Sequence, residues 1–307
     1  MKRKVRVGVV GLGGIAQKAY LPILTKQEDW DLIGAYTPNQ EKLKRICTSY
    51  RLQPFSSMEA LSKECDAVFV HSSTETHYQV VDYLLDQGKD IYVDKPLASS
   101  IEEAELLVEK SEKLGLKLMV GFNRRFAPVY QEAKELAGDF DAVHIEKHRP
   151  FGIGPMSFNE TMLDDYLHVV DTVRWLADDD DLLVKNFFAK QTAQKEMIFA
   201  NHIYESKTSL FTTSMHRQAG LDLEKLEFVS DRSIIRVWNM RDLEINEEKL
   251  TKKRTSGSWQ TVGDIRGFEG AIKHFISCVE NNTTPIVDGV EALKSQRLLQ
   301  LMLDHAR

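Results

Sequence analysis

The chain has 307 residues, 42% of them hydrophobic and 28% charged, with a formal net charge of −6. At roughly 150 residues per domain, that length fits two globular domains of ordinary size. A net negative chain has no basic field with which to displace counterions from phosphates, which argues against nucleic acid as a partner.

Cys47, Cys65 and Cys278 are odd in number and lack the spacing of a disulfide framework or a zinc site. No stretch is apolar for the ~18 residues that a membrane span needs. A cytoplasmic protein with no metal and no membrane contact is expected. Lys2, Arg3 and Lys4 ahead of an apolar run imitate a signal peptide. The run is interrupted by Arg6 and by glycine and leads to no small-residue cleavage site, so it reads as a first β-strand.

In chain order, short β-branched runs alternate with capped helical segments, the pattern of parallel βαβ units. The expected strands are Val5 to Val10, Asp31 to Tyr36, Asp66 to His71, Asp90 to Val93 and Lys117 to Gly121. Pro22 falls inside the first helical segment and should kink or restart it. A second helix should run from Thr74 to Gly88. Ser100 with Glu103 forms a capping-box pattern for a third, which should stop at Gly115.

Past residue 140 the runs alternate in hydrophobicity: Ala142 to His148, Leu182 to Ala189, Glu196 to Tyr204, Ser209 to Met215, Lys225 to Val229 and Ser233 to Asn239. This predicts a mostly antiparallel sheet with one packed and one wet face. Helices are expected over 163–176, 267–279 and 289–305, and Asp178 to Asp181 should form a solvated turn. The fold class is therefore α/β, with a doubly wound parallel sheet in residues 1–122. An α+β domain in 123–307 would serve the substrate and oligomer contacts.

The strand Val5 to Val10 runs into Gly11-Leu12-Gly13-Gly14-Ile15-Ala16. This is GxGxxA at the opening of a βαβ unit, the fingerprint of a Rossmann dinucleotide site. Gly11 permits the tight turn and Gly13 lets a pyrophosphate reach the backbone. Small Ala16 lets helix and strand approach, and the helix N-terminus faces the anion. Gly11, Gly13, Gly14 and Ile15 are thus candidate cofactor contacts.

About 20 residues on, where an NAD-binding domain carries Asp or Glu for the ribose 2′-hydroxyl, this chain has Tyr36-Thr37-Pro38-Asn39. With no carboxylate to repel a 2′-phosphate, and with Thr37, Asn39 and Lys42 nearby, NADP(H) is favoured over NAD(H). The alternative for Asn39 is a helix cap. Ser72, Ser73 and Thr74 end the third strand and can meet a ribose or cap the next helix. His77 can reach the cofactor or lie on the surface. Asp94, Lys95 and Pro96 end the fourth strand at the same edge.

Asp164 and His168 are four residues apart on one helix, so they stack on one face, with Asp171 three further on. A histidine oriented by a carboxylate can exchange a proton with a substrate hydroxyl, although the spacing alone equally fits a salt-bridged helix surface. Arg149, His148, His216 and Arg217 fall near strand ends. They can contact a polar or anionic substrate or simply face solvent.

Together, Gly11 to Ala16, Asp94-Lys95-Pro96, Gly121-Phe122-Asn123-Arg124-Arg125-Phe126 and Asp164 to Asp171 resemble the successive motifs of the Gfo/Idh/MocA oxidoreductases. The resemblance spans nearly the whole chain and looks closest to the family's MviM-like branch. It implies that Lys95 stands beside the nicotinamide and is catalytic with Asp164 and His168, and that Asn123 and Arg124 touch or hold the nicotinamide. The family's Glu-Lys-Pro is Asp94-Lys95-Pro96 here, and the glycine usual before the histidine is Leu167.

The activity so implied is hydride transfer between NAD(P) and a hydroxyl-bearing carbon of a sugar, polyol or related small molecule. The protein would work as a homo-oligomer, either dimer or tetramer. The alternatives are a dinucleotide sensor without turnover and an imine or enone reductase.

Overall fold

The computed structural model describes residues 3–26 and 28–305. The chain divides into two compact units. One comprises the residues up to Asn123 together with Phe268–Lys294, and the other comprises Arg124–Gly267 with the chain from Ser295 on. A division at residue 122 alone does not provide for the return of Phe268–Lys294 to the first unit.

The first unit is built on five parallel strands, β1 (Val5–Val10), β2 (Trp30–Tyr36), β3 (Ala67–Val70), β4 (Asp90–Val93) and β5 (Leu118–Val120), in the order β2-β1-β3-β4-β5. Every side chain of β3 is buried, as expected for a strand covered on both faces. The order reverses between β1 and β3, so the ends of these two strands flank the crevice where open α/β sheets take ligands.

Helix signals act as read from the sequence. Ser100 Oγ accepts from Glu103 N at 3.2 Å, and the helix Ile101–Leu114 stops at Gly115 in the left-handed region. The first helix does restart near Pro22. A π-helical turn, Ala16–Tyr20, ends with Leu21 N–H on Ala16 O, and a short α-helix, Leu21–Leu24, follows with Pro22 in its first turn, where the missing N–H breaks no helical bond.

Phe268–Asn281 adds a helix whose Phe275 ring meets Phe69 at 5.4 Å and Tyr92 at 5.6 Å, edge-on in both cases. Just beyond it, Val120 N–H donates to Val287 O, which covers the free edge of β5.

The second unit holds eight strands: β6 (Ala142–His148), β7 (Leu183–Gln191), β8 (Met197–Glu205), β9 (Leu210–His216), β10 (Leu223–Val229), β11 (Ser233–Trp238), β12 (Asp242–Glu247) and β13 (Leu250–Thr255). Their order is β13-β12-β11-β10-β6-β9-β8-β7, antiparallel except for β6 with β9. Val143, Ile145 and Lys147 of β6 are buried, while His144, Glu146 and His148 between them are half-buried, so one face is packed and the other open.

Two strands, β12 and β13, were not expected. β13 is exposed throughout and carries Lys252, Lys253 and Arg254, so it has no alternation to read, and these charges suit a sheet edge. The expected helix over 163–176 is a composite. Phe158–Thr161 opens it under a full Ser157/Glu160 capping box, a π-helical turn covers Met162–Tyr166, and α-helix follows over Leu167–Ala177. Asp178 to Asp181 is a turn in which Asp179 accepts from Asp181 N and Lys207 N. Among the described residues no helix is long and apolar enough to cross a membrane.

Candidate active site

Gly11 has a φ of +91°, and its N–H donates to Tyr36 O at 2.9 Å. A Cβ there would lie 2.5 Å from the backbone of His71 and Ser72, so the protein's own packing requires this glycine. The next two glycines differ. A Cβ on Gly13 would make only one ordinary contact, at 3.6 Å, and on Gly14 none within 4 Å. Their bareness serves no internal packing, and it leaves the start of the first helix open to an outside group. Beside them, Ser72 Oγ is buried without a hydrogen-bond partner among the described residues. A bare helix N-terminus and an orphaned hydroxyl at a sheet switch point fit a dinucleotide pyrophosphate and ribose.

His71, at the end of β3, stacks on Tyr20 with ring centroids 3.8 Å apart. Neither ring nitrogen has a partner among the described residues, and burial pushes its pKa down to about 3, so it is a neutral wall of the crevice. His77 is fully buried, which overturns its surface alternative. Nδ1 stands 2.8 Å from Pro96 O and Nε2 3.2 Å from Ser72 O, so the ring bridges the ends of β3 and β4. Burial lowers its pKa although both carbonyls favour the charged form.

Ser73 occupies the N-cap of Thr74–Asp86 without a side-chain cap bond, and Thr74 O accepts from Ser99 Oγ. Asn39 takes the capping role, its Oδ1 accepting from Lys42 N at 2.9 Å, and Thr37 is buried.

At the end of β4, Asp94 Oδ1 accepts from Lys95 N at 2.9 Å. Lys95 is half-buried and Pro96 buried. Tyr20 and Tyr92 bring their hydroxyls to 3.2 Å from one another. A Cβ on Gly121 would lie 2.9 Å from the first, 3.1 Å from the second and 3.2 Å from Asp94 Oδ1. Gly121 thus leaves room for two phenols and a carboxylate to converge directly beneath the Lys95 backbone.

In the second unit, Asp164 is exposed and His168 half-buried, on either side of the junction where the π-helical turn passes into α-helix. Asp171 does not share their stripe. It is buried and gripped by Arg125 at 2.6 and 3.0 Å, with Ser295 Oγ donating to it. Asn123 is buried, and Arg124 sends Nε and Nη2 to Glu224 at 2.5 and 2.8 Å. Burial would raise the Glu224 pKa, but Arg124 pulls it down to about 2.

Sequence reasoning missed Asp165 and Lys147. Asp165 Oδ1 meets Lys147 Nζ at 2.5 Å and Arg149 Nη2 at 3.1 Å, and Oδ2 meets Arg149 Nε at 3.1 Å and also Arg217 Nη1. Burial opposes the Asp165 charge, yet Lys147 and Arg149 hold its pKa well below the carboxylate range. Lys147 is buried and lowered to about 8, by burial first and by Arg124 next. The signal for Lys147 was present: a lysine on the apolar parity of a strand. Arg149 and Arg217, for which solvent was one alternative, are instead drawn to this carboxylate. His148 Nδ1 accepts from His216 N at 3.0 Å.

A doubly wound sheet with this glycine turn, joined to an antiparallel α+β unit carrying an acid–histidine helix, defines an NAD(P)-dependent oxidoreductase. The oxidoreductase family with an NAD-binding Rossmann fold matches residues 5–122, and the YceM-like C-terminal domain matches residues 128–248. YceM of Salmonella typhimurium strain LT2 is 44% identical over 98% of this chain and 97% of its own length. The crystal structure of the dehydrogenase MviM from Clostridium difficile is 45% identical with a TM-score of 0.97, covering 99% of this chain and 100% of that one. The NAD+-dependent scyllo-inositol 2-dehydrogenase of Bacillus subtilis strain 168 is 25% identical over 95% of this chain and 91% of its own. The chain belongs to the Gfo/Idh/MocA oxidoreductase family.

Proposed function

We propose that this oxidoreductase exchanges a hydride between NAD(P) and a hydroxyl-bearing carbon of a polyol, sugar or related small molecule. The observation that carries the reading is Lys95 at the end of β4, on the same sheet edge as the bare Gly13 and the orphaned Ser72 hydroxyl. The likeness to an inositol dehydrogenase over almost the full chain supports the substrate class.

When bound, the nicotinamide supplies the two-electron exchange. Gly11, Gly13, Gly14 and Ile15 would hold the pyrophosphate, and Ser72 would bind the ribose. Asp94 fixes the Lys95 backbone, so that the ammonium is presented at the sheet edge and exchanges a proton with the substrate hydroxyl. His168, with Asp164, is the second proton-handling group. NADP(H) is the preferred partner, because no carboxylate in Thr37-Pro38-Asn39 repels a 2′-phosphate and Lys42 follows. Asn39 contributes less to that preference, since its oxygen is engaged in the helix cap.

The open face of the eight-stranded sheet, with half-buried Phe199, Ile203 and Trp238, favours a homo-oligomer in the cytoplasm. Three free, buried cysteines suit that reducing setting.

The test is a screen of polyols and sugars for cofactor reduction by wild type and Lys95→Ala, with nucleotide affinity followed by fluorescence. The expected result is turnover reduced at least a thousandfold in the variant at unchanged nucleotide affinity. Full turnover by Lys95→Ala would remove the lysine from the mechanism.

A further inference from the structure

We infer that the second unit carries an anion-recognition site formed by Arg149 and Arg217, which takes a carboxylate or phosphate group of the substrate. The word substrate rests on the function proposed above, whereas the anion site rests on the charges themselves. Arg124 and Arg149 both act on Lys147, Arg217 joins Lys147 and Arg149 on Asp165, and the carboxylates paired with these four cations are Glu224, Asp165 and Asp222. Glu224 is committed to Arg124, and the side chain of Asp222 is 66% exposed. Asp165 is left as the one inner carboxylate facing three cations.

A carboxylate offers about four lone-pair sites. Those of Asp165 are taken by Lys147, twice by Arg149, and by Arg217. Arg217 sends Nε to Gly152 O at 2.9 Å, which leaves Nη2 without an acceptor among the described residues. Gly152 belongs to this arrangement, because a Cβ there would lie 3.1 to 3.2 Å from the guanidinium.

In these pairs four cations share three carboxylates. The surplus shows in Lys147, whose proton is loosened by burial and by the neighbouring arginines. An incoming anion would replace the weak exposed pair of Arg149 with Asp222 and meet Arg217 Nη2, gaining two charge-assisted donors. Asp165 lies near the end of the π-helical turn Met162–Tyr166, three residues before His168 in the following α-helix.

The experiment uses the full chain as wild type, Arg217→Gln and Arg149→Gln. Thermal unfolding is followed against inorganic phosphate, D-gluconate, glucose 6-phosphate and neutral D-glucose, with ionic strength held constant by chloride. A saturable rise in Tm with at least one anion, absent with glucose and weakened at least tenfold in Arg217→Gln, is expected. Saturation by gluconate alone identifies a carboxylate and by the phosphates alone a phosphate; either supports the site. Equal, unsaturating shifts in all three proteins overturn it. If Arg217→Gln does not fold, Arg217→Lys must show at least a threefold loss in anion affinity, and unchanged affinity again overturns the site. Because no turnover is read, failure of the Lys95 test leaves this result standing, and the reverse also holds.

Discussion

The three glycines of the first turn make different demands, and substituting each by alanine separates packing from ligand binding. In Gly11→Ala the new Cβ would sit 2.5 Å from the His71 and Ser72 backbone at a φ of +91°. The left-handed conformation alone costs about 1–2 kcal/mol for an L-residue, and relieving the backbone clash adds a similar amount. A loss of about 2–4 kcal/mol, or roughly 5–10 °C in Tm for a unit of this size, follows. In Gly13→Ala the single contact at 3.6 Å is ordinary, so stability should change by no more than about 0.5 kcal/mol. Its methyl group instead occupies the space through which a pyrophosphate reaches the helix N-terminus, which raises Kd for NADH and NADPH at least tenfold, about 1.4 kcal/mol. Thermal unfolding without nucleotide and fluorescence titration with it read the two effects separately. A Gly13→Ala protein that binds both nucleotides like wild type, or a Gly11→Ala protein with unchanged Tm, would refute this reasoning.

Two further expectations concern buried charge. Asp165→Asn strips the counter-charge from Lys147, Arg149 and Arg217 and should lower stability by about 3–5 kcal/mol in urea unfolding, with Lys147→Met in the same chain restoring part of it; a loss under 1 kcal/mol would show that the network is solvent-screened. His71 titrates near 3 when folded and near 6.5 when unfolded, so below pH 6.5 only the unfolded chain takes up its proton. Stability must therefore fall with pH across that window by about 1.4 kcal/mol per unit. His71→Phe, which keeps a ring to stack on Tyr20, should lose this slope, and identical acid limbs for the two proteins would contradict the burial of a neutral imidazole.

The parallel half of the fold was legible because its signals are local and redundant. β1 and β4 begin and end where the sequence predicts, Gly115 stops its helix, and Pro22 marks the restart of the first one. Of the two missed strands, β12 has only Leu243 and Ile245 to mark its alternation, and β13 has no such signal. β12 and β13 are joined by Glu248 and Lys249, both at positive φ, in a two-residue hairpin turn whose usual Asn-Gly signature is absent. A sheet edge made of lysine and arginine gives periodicity nothing to detect.

The π-helical turn at Met162–Tyr166 was hidden for a different reason. A single wide turn changes which carboxylate is inside without disturbing the apolar stripe on either side. From spacing alone, Asp164 and Asp165 are near equivalents. The wide turn gives Asp165 to Lys147 and the arginines, while Asp164 is exposed. Tyr166 pins the same turn from below, with its hydroxyl 2.7 Å from His202 Nδ1 and 2.6 Å from Thr213 Oγ1. One side of this helical turn is thus fixed by ion pairs and the other by a buried hydroxyl network, and the α-helix begins at Leu167 with His168 in its first turn. Its orientation is therefore set by side chains on β6, β8 and β9, far away in sequence, which is why a motif of four spaced residues could name the histidine but not the charges that position it.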